Sequence, residues 1–124
     1  MSRPVLAACL ALAASWPALV QGQPVTEFPA NAVMISAQDL HKRVAGNVYV
    51  ATIGSNDVRL QFQSSYAFLN IGSGASDTGP WRAEGSQLCF EWKRTQSGCV
   101  EVRFVGDVMH LKRLNGEIVE YKPR

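Results

Sequence analysis

From Asn47 to the C-terminus, apolar and polar side chains alternate with a period of two, and turn-forming residues interrupt them every few positions. The pattern predicts eight strands, over 47–53, 58–63, 66–71, 80–84, 87–93, 98–105, 108–113 and 117–122. A slip of one residue would turn every side chain of a strand to the other face, so the turns must agree with one another. Gly85-Ser86 suits a two-residue type II′ turn and pairs Trp81 with Phe90 and Ala83 with Leu88. Gly106-Asp107 pairs Phe104 with Met109 and Val102 with Leu111. A longer loop around Arg94 sets Cys89 opposite Cys99, with Leu88, Phe90 and Trp92 on the face of Val100, Val102 and Phe104.

The remaining hairpins need more care. A two-residue Asn115-Gly116 turn would set Glu120 against buried Leu111. A three-residue loop, Leu114 to Gly116, instead pairs Leu111 with Val119 and Met109 with Tyr121, with Gly116 as the left-handed residue of a bulge. A four-residue loop, Gly54 to Asp57, is expected to pair Ile53 with Val58 and Ala51 with Leu60. The run Ile71 to Gly79, IGSGASDTG, lacks phosphate-loop spacing and reads as a flexible loop at the rim of a binding site.

Upstream, Ser36 to Ala45 predicts a short helix. Ser36 is the N-cap, Asp39 stands in the capping-box position, and Ile35 and Leu40 form a hydrophobic staple. Lys42 and Arg43 suit the last turn, and Gly46 the stop. Gln23 to Met34 has no periodicity and carries Pro24 and Pro29, so it reads as an irregular or mobile leader, by default a linker. The expected fold is mainly β: an N-terminal short helix followed by an eight-stranded antiparallel meander. Many short twisted strands close or curl to remove their edges. The result is a small barrel or strongly curved sheet, with the helix over an end or an open edge.

The first residues follow a different pattern. Arg3 precedes an unbroken apolar run, Val5 to Ala14, too short to span a bilayer, and Pro17 follows it. Residues 1–22 therefore read as a secretory signal peptide, cleaved after Gly22. Leu6 to Cys9 has lipobox composition, but most of the apolar segment follows Cys9, whereas a lipobox closes it. The expected organisation is signal 1–22, leader 23–34 and one β-barrel-like domain, 35–124, in the periplasm or outside the cell.

Charge narrows the partners. The chain has 12 Lys and Arg against 10 Asp and Glu, scattered along its length. That argues against nucleic acid and against a membrane surface, which need a basic footprint. No membrane insertion is expected after signal cleavage. Cysteine usage agrees with export. With Cys9 removed, Cys89 and Cys99 remain, an even pair that an oxidising compartment joins. Their spacing has no CxxC redox character. His110, beside Arg103, and His41 read as surface histidines, so no metal site is expected. Glu101 opposite Lys112 reads as an exposed cross-strand ion pair. No catalytic residues and no cofactor are indicated: nucleophile elbow, zinc-protease pair and carboxylate dyad are all missing from the sequence.

One group of residues invites a binding role. With a two-residue Ser64-Ser65 turn, Ala67, Leu69 and Ile71 face the core, and Tyr66 and Phe68 point outward. Arg59, Gln61, Val48 and Val50 share that face, forming a candidate interaction patch. The competing expectations are that the helix packs there, or that a three-residue turn reverses the strand.

The segments Gly79-Pro80-Trp81, Leu88-Cys89-Phe90 and Cys99, with an amphipathic helix ending at Gly46 upstream, resemble a family of short proteobacterial secreted proteins of unknown function. The resemblance covers about 90 residues, from Ile35 onward. It departs from the family at Leu60 to Leu69, where Ser64-Ser65 stands in place of an aromatic followed by Asp-Gly. The resemblance implies periplasmic location and a paired disulfide, and brings no catalytic residues. Small disulfide-bonded barrels such as bacterial lysozyme inhibitors are similar in architecture. The expected function is thus a non-catalytic binding or protein-interaction module, an inhibitor or modulator of an envelope enzyme in its specific form. The alternative is a small-ligand carrier with its ligand inside a lipocalin-like barrel.

The cysteine reading is directly testable. Non-reducing mass spectrometry of the exported protein should show two hydrogens fewer than the reduced chain; two free thiols would contradict it.

Overall fold

Short strands joined by tight turns pair with their sequence neighbours, and here they do so all the way round. The computed structural model describes residues 23–124. The expected signal peptide, 1–22, lies outside the described residues. Helix α1 (Ala37–Val44) precedes β1 (Val48–Ile53), β2 (Asn56–Phe62), β3 (Tyr66–Ile71) and β4 (Ser76–Glu84). These are followed by β5 (Gln87–Phe90), β6 (Gly98–Val105), β7 (Val108–Lys112) and β8 (Ile118–Pro123). All neighbours are antiparallel, and the eight strands form a closed barrel in sequence order.

Three two-residue turns set most of the register. Gly54, Gly85 and Gly106 each open a turn with φ of 62°, 56° and 59°, the geometry a type II′ turn demands at its first position. The Gly85 and Gly106 hairpins pair as expected: Trp81 with Phe90, Phe104 with Met109. The last hairpin also pairs Leu111 with Val119 and Met109 with Tyr121, with Gly116 left-handed. The first hairpin differs. Asn56 and Asp57 belong to β2, so Ile53 faces Asn56 and Ala51 faces Val58, not Leu60. The shift is two residues, an even number, so the inward face is unchanged.

Two further expectations are corrected. Ile71 to Gly79 is not one flexible loop. Only 72–75 turn, and Ser76 to Gly79 pair with Asn70 to Ala67 as the start of β4. Backbone pairing needs no apolar side chains, which is why the polar run concealed a strand. Strand β5 stops at Phe90, short of residue 93, and the reason lies across the barrel wall. The inward side of Gly79 carries no side chain, and the backbone of Glu91 and Trp92 lies against it. The Glu91 N–H donates to the Pro80 carbonyl at 3.0 Å.

The inward face is the core. Phe62, Leu88, Val102, Phe104 and Met109 fill the centre and are almost fully buried. The helix closes one end. The Ser36 hydroxyl accepts the Asp39 N–H at 3.3 Å, and Gly46 follows with φ of 80°. Leu40 and Val44 are completely buried beneath the helix; each contributes roughly 1.5–3 kcal/mol of transfer free energy. His41 stacks on Trp81 with centroids 4.8 Å apart, and the Arg43 guanidinium lies 4.5 Å above the Phe104 ring.

The leader is docked, contrary to its reading as a mobile linker. Val33 exchanges two backbone hydrogen bonds with Phe104, at 2.8 and 2.9 Å, where β6 extends beyond β5. The Val25 carbonyl accepts the Ile118 N–H at 2.7 Å. Phe28 lies under the Arg103 guanidinium, 4.5 Å from it. The leader thus straps the outer face of β6 to β8. Prolines and missing periodicity exclude a regular element but not docking, because the partners come from a distant sheet. His110 faces outward as expected, yet it is 4% exposed and is no surface histidine. Glu101 pairs with Arg103 at 3.0 Å rather than with Lys112.

The contact at Gly79 can be tested. A Cβ there would collide with the Glu91 carbonyl, so Gly79→Ala should lower stability by roughly 2–3 kcal/mol. At Gly72 an added Cβ meets only ordinary contacts with Asp57, so Gly72→Ala should stay within about 0.5 kcal/mol of the parent. Urea denaturation of the pair reads both.

Candidate functional site

The alternation that buries one face of β1 to β4 lines up the other face for solvent. Val48, Gln61, Phe68 and Thr78 lie in one cross-strand row, and Val50, Arg59 and Asn70 in the next. The Ser64-Ser65 turn has two residues: the Gln63 N–H donates to the Tyr66 carbonyl at 2.7 Å. Tyr66 therefore stands on the outer face beside Pro80. All six residues singled out from the sequence fall on this one surface. Tyr66 is 40% exposed and Arg59 is exposed, while Phe68, Gln61, Val48 and Val50 are half-buried. The helix does not cover them, because it is occupied at the barrel end by Trp81 and Phe104.

Cys89 and Cys99 face each other across β5 and β6, their Cα atoms 3.9 Å apart, and are joined by a disulfide. The bridge lies on the outer face, since Leu88 and Val100 point inward. A Glu84 carboxylate oxygen approaches Cys89 Sγ to 3.2 Å. With both sulfurs oxidised, this trio offers one anionic ligand and no thiolate. His110 does not join the cysteines. It pairs with Arg103, four residues along β6 from Cys99, and with Glu120.

The structure also assembles a group that sequence reasoning missed. Asp77 occupies an inward position of β4 and is 8% exposed. Its carboxylate accepts the backbone N–H groups of Thr78 at 2.8 Å, Lys93 at 3.1 Å, Arg94 at 3.0 Å and Thr95 at 2.6 Å. Burial alone would raise its pKa. The hydrogen bonds from Thr95, Thr78 and Arg94 outweigh burial and hold the carboxyl well below the usual carboxylate range. One anion thereby organises the β5–β6 loop. The only sequence signal was an acidic residue in phase with inward apolar positions, and a loop reading of that segment hid the phase.

That loop helps to form a cup. At the barrel end opposite the helix, Leu60, Leu69, Val100, Leu111 and Tyr121 surround a cavity of about 240 Å³. Phe90 and Trp92 form one wall, stacked at 4.8 Å with planes 10° apart. The Leu114 side chain closes over Gly98, where a Cβ would lie 3.1 Å from it. A second, more open groove of about 970 Å³ follows the seam between β1 and β8, under Val25 and Pro29 of the leader. Its walls mix charges, with His110, Glu120, Lys122 and Arg59 among them. No helix among the described residues is long and apolar enough to cross a membrane. Comparison with protein-family models, with curated proteins and with solved structures finds no match for this chain.

The role of Asp77 has a pH signature. Its folded pKa lies below its unfolded value near 3.9, so its contribution is fully present above that value. The contribution is lost as pH falls from about 5 towards the folded pKa. Asp77→Asn should cost roughly 2–3 kcal/mol at pH 7, and the gap to the parent should narrow at pH 3. A gap that is equal at both pH values would contradict this account.

Proposed function

We propose that this chain is an exported, non-catalytic interaction module that binds another periplasmic or extracellular protein through the outer face of β1 to β4. An envelope enzyme that it inhibits or modulates is the specific form of this reading. The observation that carries it is the outer surface on which Val48 and Val50 of β1 and Tyr66 and Phe68 of β3 flank Arg59 and Gln61 of β2. Aromatic and aliphatic groups interleaved with polar ones, held on rigid strands, make an interface that costs little ordering on binding. The barrel behind the band is stiffened by closure and by a disulfide.

Export is supported by the disulfide, which reducing compartments disfavour. The charged n-region and apolar run before residue 22 point the same way. So does the resemblance to secreted proteobacterial proteins. The absence of a catalytic role is part of the proposal. Asp77, the strongly perturbed carboxylate, has its oxygens committed to backbone amides and is shielded by the loop it holds. That is a structural use of an anion.

Tyr66→Ala with Phe68→Ala should change stability by no more than about 1 kcal/mol, since both rings are on the outer face. The same double variant should lose a partner that the parent retains in affinity capture from the exported fraction of its own source. Equal retention by both would place the interface elsewhere. A large loss of stability would show that the rings serve the fold.

A further inference from the structure

The barrel centre is filled by Phe62, Phe104 and Met109, so no ligand fits there. The loop end differs. Its cup of about 240 Å³ is bounded by aliphatic side chains and by the stacked Phe90 and Trp92. For comparison, an apolar cavity of about 150 Å³ stays dry and admits benzene. A cup this size admits a fused two-ring molecule or a substituted single ring.

The walls are held in place. Trp92 belongs to the loop whose amides at Lys93, Arg94 and Thr95 are bound by Asp77. The Ser97 hydroxyl donates to the Trp92 carbonyl at 3.2 Å. Glu91 and Trp92 also lie flush against Gly79. A cavity with fixed walls does not collapse when empty, and it binds without paying for loop ordering.

Charge selects the ligand class. Among the described residues, Arg113 is the one charged side chain that lines the cup. It is already paired with Glu117 at 3.1 Å. Tyr121 is neutral at physiological pH, since burial pushes its phenol up to about 12. Thr95, Gln96 and Asn115 offer polar groups that can orient one substituent.

We propose that this cup is a binding site for a small, uncharged aromatic molecule of one or two rings. The site faces the loop end rather than the outer face of β1 to β4. It stands or falls independently of the interaction surface proposed above.

Indole is the probe. Titrated into the purified protein, it should shift the Trp92 indole N–H resonance saturably, with a Kd on the order of 0.1–1 mM. Val100→Phe fills the cup and should weaken binding at least about tenfold, with the fold retained. Leu114→Ala opens the mouth at an exposed position and should weaken binding about threefold. Indole-3-carboxylate should bind at least about tenfold more weakly than indole, because Arg113 at the cup is already paired with Glu117. The proposal is overturned if folded protein gives no saturable Trp92 shift. It is overturned equally if Val100→Phe binds indole as the parent does, or if the carboxylate binds as tightly. Should Val100→Phe fail to fold, unchanged affinity in Leu114→Ala overturns it.

Discussion

Ring closure is the constraint on which the rest of this structure depends. Eight short strands present many backbone edges, and only a closed sheet satisfies them all. The closing seam is brief: Tyr49 faces Pro123, Val50 faces Lys122, and the Arg124 N–H reaches the Val48 carbonyl at 2.9 Å. Everything else accommodates that seam. The helix covers the end where Phe62 and Phe104 would meet water. The leader supplies partners to β6 and β8 beyond the reach of their neighbouring strands, through Val33 and Val25. Closure also divides every strand into an inner and an outer face, so a single parity decides both the core and the surface available for recognition.

The loop end shows a different economy. Inward positions there include an aspartate and two glycines where the rest of the barrel has apolar side chains. Asp77 neutralises four backbone donors that no strand would satisfy, and Gly79 lets the chain cross close to the wall. Together they turn what would be a loose seven-residue connection into a fixed rim. A buried ionised carboxylate is unfavourable unless it is fully hydrogen-bonded, and here the loop backbone meets that condition. The cup beside it is a consequence, because a fixed rim keeps Trp92 from collapsing into the barrel.

Rigid walls matter for both proposed sites. The outer band on β1 to β4 and the cup at the loop end are built on strands or on a loop held by hydrogen bonds. Both bind by presenting a surface that already exists. Neither brings convergent acid and base groups to one point. Of the charged or imidazole side chains that the fold buries, Asp77 is held by the β5–β6 loop and His110 lies on the outer face of β7 between Arg103 and Glu120.

Much of this was legible in the residues alone. Period-two alternation and Gly-X turns specify strands, parity and sequence-order pairing, because each depends on contacts between near neighbours in the chain. The disulfide followed from the same parity, since Cys89 and Cys99 lie opposite each other in the register that aligns Phe90 with the core. The outer position of Tyr66 and Phe68 followed once the turn at Ser64-Ser65 was counted as two residues. What only the tertiary structure decided involves partners far apart in sequence. Asp77 finds its donors at residues 93–95, Gly79 finds the Glu91 backbone, and Val33 finds Phe104. These contacts each have a backbone group on at least one side, which carries no residue identity, so no pattern of side chains announces them. They arise when the barrel closes and brings distant amides within hydrogen-bonding reach.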